Sequence, residues 1–395
     1  MDKTNELLTR GVANIIPNKE SLKKTLTSGK KLNIYLGIDP TATQIHLGHA
    51  VPLRKLQALA DLGHTVTFLI GDFTALIGDT SDKDSERPVL SKEQIEENFQ
   101  TYKSQAQKIL DFSKVRVRRN SEWLGKLSFE DIIKLCQHFS FGDFASRELI
   151  KRRLSEGRYV GLHEGLYPVM QGYDSYFMDT DLQIGGTDQT FNMQAGRILQ
   201  KDLRKKESYV LTTEFLIGTD GRKMSKSWGN AIWLTDEPND MYGKIMSIRD
   251  DLIVQYFTLG TNVPMAQVAQ IEEAIKKGEN PMEIKKKLAL EIVKELHDEG
   301  AAKKAQEHFE KTVQQKEVPT DIPTLKIDGK ESISIVDLLV HIQLATSKSE
   351  AKRLVEQGGV EIDTTKIEDP SSQITVKNDM IVRAGKRKFA KLKVE

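Results

Sequence analysis

The apolar positions keep a strand-and-helix rhythm over the first 217 residues, a helical one from 237 to 317, and a mixed one toward the C-terminal end. Residues 33–38 (NIYLGI) form a short β-branched and apolar run, which reads as a buried strand. The loop DPTATQIHLG follows. Leu53, Leu56, Leu59 and Ala60 then recur at spacings of three and four, predicting a helix that Gly63 ends, and TVTFLIGD (65–72) predicts a second strand. Strand, helix and strand joined by short loops are the pattern of a parallel α/β sheet. The pattern returns at 182–202, where LQIGG reads as a strand end and TDQTFNMQAGRILQKDL as a helix. SYVLTTEFLI (208–217) reads as another strand, before the loop GTDGRKMSKSWGN.

From 237 to 317 the apolar spacing is helical and β-branched runs are few, which predicts a small helical domain with Pro281 at a helix start. Residues 318–332, with two prolines in a short polar stretch, read as a linker. Residues 333–395 predict an α+β module. It comprises the helix IVDLLVHI, a second helix KSEAKRLVEQ capped by Thr346 or Ser347 and stopped at Gly358-Gly359, and short strands around VEID and MIVRAG. The expected fold is therefore α/β: a Rossmann-like parallel-sheet catalytic domain (1–236), a helical domain, and the C-terminal module.

Composition narrows the function classes. The chain has 395 residues, 38% of them hydrophobic and 29% charged, with 58 Lys+Arg against 57 Asp+Glu, which is ordinary for a globular protein and far from a disordered one. No run approaches the ~20 apolar residues of a bilayer span, and the first 20 residues contain no apolar signal-peptide core. Cys136 is the only cysteine, so neither an internal disulfide nor a cysteine zinc cluster is available. The expectation is a cytoplasmic protein without membrane contact. The near-zero net charge hides a basic end: Arg383, Lys386, Arg387, Lys388, Lys391 and Lys393 stand against Glu395, which points to a polyanionic partner.

Two motifs carry chemistry. His46-Leu47-Gly48-His49 places two imidazoles on one face of a first helical turn, just after a strand. Parallel sheets bind nucleotides at such a turn, where helix-start N–H groups favour phosphate. By itself the pair also fits two surface histidines or half a metal site. Lys223-Met224-Ser225-Lys226-Ser227 puts two lysines and two hydroxyls on a Gly- and Asp-flanked loop. That composition suits a clamp on pyrophosphate, and equally a basic surface loop.

Together, HLGH and KMSKS resemble the paired signatures of the class I aminoacyl-tRNA synthetases. Tyr35-Leu36-Gly37-Ile38-Asp39-Pro40-Thr41, Leu76-Ile77-Gly78-Asp79, Tyr167-Pro168-Val169-Met170-Gln171-Gly172-Tyr173-Asp174 and Gly185-Gly186-Thr187-Asp188-Gln189 narrow the resemblance to the bacterial tyrosyl-tRNA synthetases, over essentially the whole chain. The resemblance implies that Tyr35 and Asp174 hold a phenol, that Asp79, Tyr167 and Gln171 hold an α-ammonium, and that Gln189 lies near the reacting carboxylate. It implies an ATP site formed by Gly37, Asp39, Thr41, His46, Gly48, His49, Gly186, Asp188 and Lys226. Thr41, His46, His49, Lys223 and Lys226 would be the catalytic group. It further implies ATP with Mg2+ and no tightly bound protein metal, L-tyrosine and tRNA(Tyr) as partners, and a homodimer joined around 138–154. In the last module, Lys348, Lys352, Arg353, Arg383, Lys386, Arg387 and Lys388 would face tRNA, with few acids beside them in the tail. Pro52 departs from the family members that carry a polar residue there, and that puts one ATP contact in doubt. The alternatives are another class I synthetase such as the tryptophanyl enzyme, or a nucleotidyltransferase of another kind; the latter would leave KMSKS and the basic end unexplained.

Overall fold

The computed structural model describes residues 3–41, 43–78, 90–225, 228–314, 323–327, 332–363, 365–385 and 388–394. It forms two compact units, Met1–Asp236 with Ser247–His297, and Glu237–Met246 with Asp298–Glu395.

The first unit is built on a six-stranded sheet of β1 (Val12–Ile16), β2 (Asn33–Ile38), β3 (Thr65–Ile70), β4 (Val115–Arg119), β5 (Leu182–Gly186) and β6 (Tyr209–Thr213), in the order β1-β6-β5-β2-β3-β4. Every pairing is parallel except that of β1 with β6. The chain leaves β2 toward β3 and β4, then crosses back to β5 on the other side of β2. Nothing in the apolar pattern predicted β1, a half-exposed edge strand. The strand expected over 208–217 stops at Thr213, and the backbone from Glu214 turns toward the KMSKS loop.

Helix α1 (Leu47–Asp61) follows β2 and buries Leu53, Leu56 and Leu59 at 1%, 0% and 0% exposure, as its spacing requires. Pro52 lies inside this helix without ending it, at the cost of the bond that an N–H there would give the Gly48 carbonyl. Helices α2 (Lys92–Ala106), α3 (Leu166–Phe177) and α4 (Thr190–Arg204) complete the part of this unit that shapes the cleft.

The region expected as one helical domain is divided. Helix α5 (Pro238–Met246) lies in the second unit, whereas α6 (Ile253–Gly260) and α7 (Pro281–Leu296) lie in the first. Pro281 opens α7. The long helical pattern after it breaks at His297–Asp298, because the Asp298 side chain accepts from Ala301 N (2.8 Å) and caps a new helix, α8 (Glu299–Phe309), which belongs to the second unit.

At the C-terminal end, α9 (Ile335–His341) and α10 (Lys348–Glu356) accompany a five-stranded sheet. Its strands are β7 (Thr324–Ile327), β8 (Val360–Ile362), β9 (Thr365–Ile367), β10 (Ile381–Ala384) and β11 (Lys388–Val394), in the order β9-β8-β10-β11-β7. Ser347 caps α10, and Gly358, at φ +64, follows its end. Part of the expected linker is thus a strand: β7 pairs in parallel with β11, a partner no local pattern announces. The rest of that linker, 318–322 and 328–331, lies outside the described residues. No helix among the described residues is long and apolar enough to cross a membrane.

Candidate active site

A cleft of about 600 Å³ opens at the carboxyl ends of β2 and β5, where the direction of crossover reverses. This is the place where open parallel sheets receive ligands, because helices depart to opposite faces and leave a crevice. Tyr35 and Gly37 reach it from β2, Asp39 and Thr41 from the following loop, and His46, Gly48 and His49 from the start of α1. Helix α3 contributes Tyr167, Gln171 and Asp174 at spacings of four and three, hence on one face. Gly186, Asp188 and Gln189 line it from the end of β5, and Lys223 from the loop beyond β6. Asp79 and Lys226 lie outside the described residues.

At its deep end the cleft holds two sealed polar groups. Tyr35 pairs with Gln183 across β2 and β5, and its hydroxyl donates to Gln183 Oε1 (2.9 Å). Gln183 Nε2 in turn donates to the Met193 carbonyl (2.9 Å), which fixes the amide with its oxygen toward the phenol. Asp174 is 3% exposed; Trp123 Nε1 donates to its Oδ1 (2.7 Å) and Asn120 Nδ2 to its Oδ2 (3.1 Å). Burial pushes the Asp174 carboxyl up to about 8, and the negative charges of Asp39 and Asp72 add to that, against the two donors. Burial, then Asp174 itself, also raises the Tyr35 phenol.

A chain of hydrogen bonds leads from there along the wall. Asn120 Nδ2 donates to Thr74 Oγ1 (3.0 Å), Thr74 donates to Asp39 Oδ1 (2.8 Å), and the Tyr167 hydroxyl donates to Asp39 Oδ2 (3.0 Å). Gly71 makes room for the Asp39 carboxylate, which a Cβ at that position would overlap. Asn120, Trp123, Thr74 and Gln183 belong to no motif. Asn120 is 54 residues from Asp174 in sequence, so only tertiary folding joins them.

Nearer the mouth, His46 is the N-cap of α1. The backbone on either side is tied down: Leu47 N donates to the Ile232 carbonyl (2.8 Å) and Leu234 N to the Ile45 carbonyl (3.0 Å). The His46 and His49 rings stack with centroids 3.8 Å apart. Burial above all, then His49 and Lys223, drives the His46 imidazole down to about 2, so it is neutral at any working pH. Its Nδ1 is buried without a partner among the described residues. A buried ring nitrogen of this kind is stabilised by a ligand that completes its hydrogen bond. The Lys223 ammonium lies 4.7 Å from the centroid of the Phe215 ring, which also lines the cleft.

The basic residues of the C-terminal module are more neutralised than their count implies. Lys348 pairs with Asp337 (2.7 Å), Lys352 with Glu356 (3.8 Å) and Arg383 with Glu361 (3.1 Å), while Lys388 Nζ donates to the Leu344 carbonyl (3.1 Å). The tail itself is poor in acids, and folding brings Asp337 and Glu361 from other segments, whereas Glu356 lies one turn along α10 from Lys352. Arg353 is exposed on α10. Lys386 and Arg387 lie outside the described residues. Among the described residues, no three His, Cys, Asp or Glu side chains gather in a way that could hold a metal ion.

The family described as tRNA synthetases class I (W and Y) matches residues 27–314, and the Tyrosine--tRNA ligase SYY-like C-terminal domain matches residues 314–392. The tyrosine–tRNA ligase of Dehalococcoides mccartyi is 45% identical over 392 residues, spanning 99% of this chain and 98% of the relative. That of Thermotoga maritima is 45% identical over 389 residues, spanning 98% and 96%. Among solved structures, the tyrosyl-tRNA synthetase of Archaeoglobus fulgidus complexed with L-tyrosine superposes with a TM-score of 0.61 at 24% identity, covering 78% of this chain and all of that one. A C-terminally truncated mitochondrial tyrosyl-tRNA synthetase of Aspergillus nidulans gives 0.65 at 22% identity, covering 77% and 92%. At those identities the structures establish a shared fold, whereas the sequence matches run nearly end to end: the chain belongs to the class I tRNA synthetases of the W and Y family.

Proposed function

We propose that this chain is a tyrosine–tRNA ligase. It activates L-tyrosine with ATP to tyrosyl-adenylate and pyrophosphate, then transfers the tyrosyl group to the terminal ribose of tRNA(Tyr). The observation that carries the choice of amino acid is the pair Tyr35 and Asp174 at the sealed end of the cleft. A para hydroxyl bonds to them. Phenylalanine would leave a buried carboxyl and phenol facing hydrocarbon, and that loss is the basis of hydroxyl-directed rejection, of which the tyrosyl-tRNA synthetases are themselves the standard example.

In this reading Tyr167, Gln171 and Asp79 receive the α-ammonium, and Gln189 lies beside the carboxylate that attacks the α-phosphorus in line. The nucleotide rests against Gly37, Asp39, Thr41, Gly48, His49, Gly186 and Asp188. His46 and Thr41 donate to the γ-phosphate, and Lys223 with Lys226 holds the departing pyrophosphate. The P–O bond to the leaving group breaks as the carboxylate oxygen bonds to phosphorus. Positioning and charge stabilisation carry such a barrier without a covalent nucleophile. A neutral His46 suits the role, since it donates one hydrogen bond to an oxygen gaining charge. Magnesium would arrive on the triphosphate and offset its charge; Asp39 and Asp188 on the cleft wall offer oxygens to an ion that keeps several of its waters.

A homodimer is part of the same proposal. Phe129, Phe141 and Leu162, in and beside the 138–154 segment, are 78%, 70% and 80% exposed, and a second copy of the chain would cover such apolar side chains. Sedimentation of the intact chain at micromolar concentration should give twice the chain mass, and a monomer would remove this part. The C-terminal module would hold tRNA through Lys348, Lys352, Arg353, Arg383 and Lys388, together with Lys386 and Arg387. The cytoplasm is where this activity meets its tRNA. Pyrophosphate exchange into ATP, assayed with each amino acid in turn, tests the central reading. Tyrosine should support it and phenylalanine hardly at all; exchange with tryptophan instead would overturn the assignment.

A further inference from the structure

The loop that presents Lys223 is closed by a residue outside the two signature motifs. Asn230, 2% exposed, uses both ends of its side-chain amide. Its Oδ1 accepts from Ser225 N (2.8 Å), and its Nδ2 donates to Asp220 Oδ1 (2.7 Å) and to the Lys223 carbonyl (3.2 Å). Its own carbonyl accepts from Thr219 N (3.1 Å). Gly218 lies so close to this amide that a Cβ there would overlap it. The amide can sit only one way, because its nitrogen faces a carboxylate and a carbonyl while its oxygen faces an N–H.

The rest of the turn follows from this hub. Gly218 N donates to the Arg222 carbonyl (2.7 Å), Ile217 and Lys223 form an antiparallel bridge, and Gly221 adopts φ +87, which a residue with a side chain rarely takes. Asp220 also receives both Arg222 Nε (2.8 Å) and Arg222 N (3.0 Å). One buried carboxamide therefore fixes the main chain on both sides of Met224, a residue that is itself 4% exposed and lines the cleft. The Lys223 side chain projects from that fixed backbone.

We propose that Asn230 is a positioning residue for the pyrophosphate-forming step, holding the backbone at Lys223 and Ser225 so that the Lys223 ammonium meets the leaving phosphates. The inference rests on the reading of Lys223 as a pyrophosphate ligand. Without the carboxamide, the Ser225 N–H, the Lys223 carbonyl and Asp220 turn to water and the turn loses its register. A displacement near 1 Å at a catalytic group can cost on the order of 10²-fold in rate. Tyrosine binding should hardly change, since the phenol and ammonium contacts assigned above come from Tyr35 on β2, from α3 and from Asp79, none of them on this loop.

The test measures single-turnover adenylate formation, tyrosine affinity and thermal unfolding on the full chain. Asn230→Ala should lower the adenylate rate by about 10- to 10²-fold and weaken use of pyrophosphate in the reverse reaction, with tyrosine affinity nearly unchanged. Asn230→Asp keeps the acceptor for Ser225 N but sets a carboxylate against Asp220, so it should lose rate as well. Adding Asp220→Asn to that variant restores a donor–acceptor pair and should recover part of the rate, which a bulk stability defect would not do. This pair carries the test if the alanine variant is insoluble. An unchanged adenylate rate in Asn230→Ala overturns the proposal. So does a parallel fall of rate, tyrosine affinity and unfolding temperature with no recovery in the double variant. Lys223→Ala run alongside separates the two readings: a normal rate there overturns both, whereas a slow Lys223→Ala beside a normal Asn230→Ala strikes this one alone.

Discussion

Asp174 shows how one side chain can be both a recognition element and a liability. Its carboxyl keeps two good donors, yet burial wins and moves its titration from near 3.8 to about 8. Between those values the folded chain holds a proton that the unfolded chain has released. The contribution to stability is therefore fully present below about pH 4 and is lost as pH rises toward 8. Ligand-free parent should lose stability between pH 5.5 and 8.5 relative to Asp174→Asn, by on the order of 2–3 kcal/mol at roughly 1.4 kcal/mol per unit. Urea denaturation at both pH values checks this, and parallel losses in the two proteins would contradict it. His46 titrates in the opposite sense, since burial lowers a base that the unfolded chain protonates near 6.5. Neither shift can be read from sequence. Asp174 sits in a recognisable string, but Trp123, Asn120 and the apolar wall that desolvate and bond it come from elsewhere.

At the scale of elements, the helices and strands with a strong apolar period were legible, and those held by partners were not. Helix α1 and strands β2, β3 and β5 bury the residues their patterns mark. The edge strand β1 and strand β7 have weak patterns and exist because β6 and β11 offer them hydrogen bonds. The N-terminal segment shows how a single residue can fix such a piece. Arg10 donates to the carbonyls of Phe257 (3.0 Å), Thr258 (2.8 Å), Thr261 (2.6 Å) and Val263 (2.9 Å), closing the C-terminal end of α6. A guanidinium there satisfies carbonyls the helix leaves open and meets the negative end of its dipole. Arg10→Ala should cost about 2–4 kcal/mol, and Arg10→Lys should restore only part, because an ammonium cannot reach four acceptors in a plane. The urea midpoint decides it; a loss under about 0.5 kcal/mol would show that water replaces the clamp.

For the whole molecule, the C-terminal module has a core of its own. Ile335, Leu338, Leu339, Val355, Val360, Val382 and Leu392 pack together, and every member of that cluster lies between Ile327 and Leu392. Because β7 pairs with β11, a cut at 333 would leave an orphan strand, so the clean division lies before it. A chain ending at Gln314 should keep tyrosine-dependent pyrophosphate exchange within about twofold while tRNA charging falls sharply, as expected if phosphate contacts dominate RNA affinity. Full-rate charging by the shortened, folded chain would dismiss the RNA-binding role of the module. The sequence by itself determined the parallel α/β class, the position of the strand-to-helix turn at His46, and the family, because periodicity and motifs are local and survive in a linear string. The tertiary structure alone decided the neutral state of His46, the raised Asp174 carboxyl, the Asn120–Thr74–Asp39 chain, the pairing of Lys348 and Arg383 with acids on other elements of the module, and the Asn230 clasp. The first three depend on burial and on bonds between segments far apart in sequence, whereas the module pairs and the Asn230 clasp span shorter stretches and depend on the turns that the folded backbone sets. Desolvation and hydrogen-bond partnership are properties of surroundings, and a chain acquires surroundings only by folding.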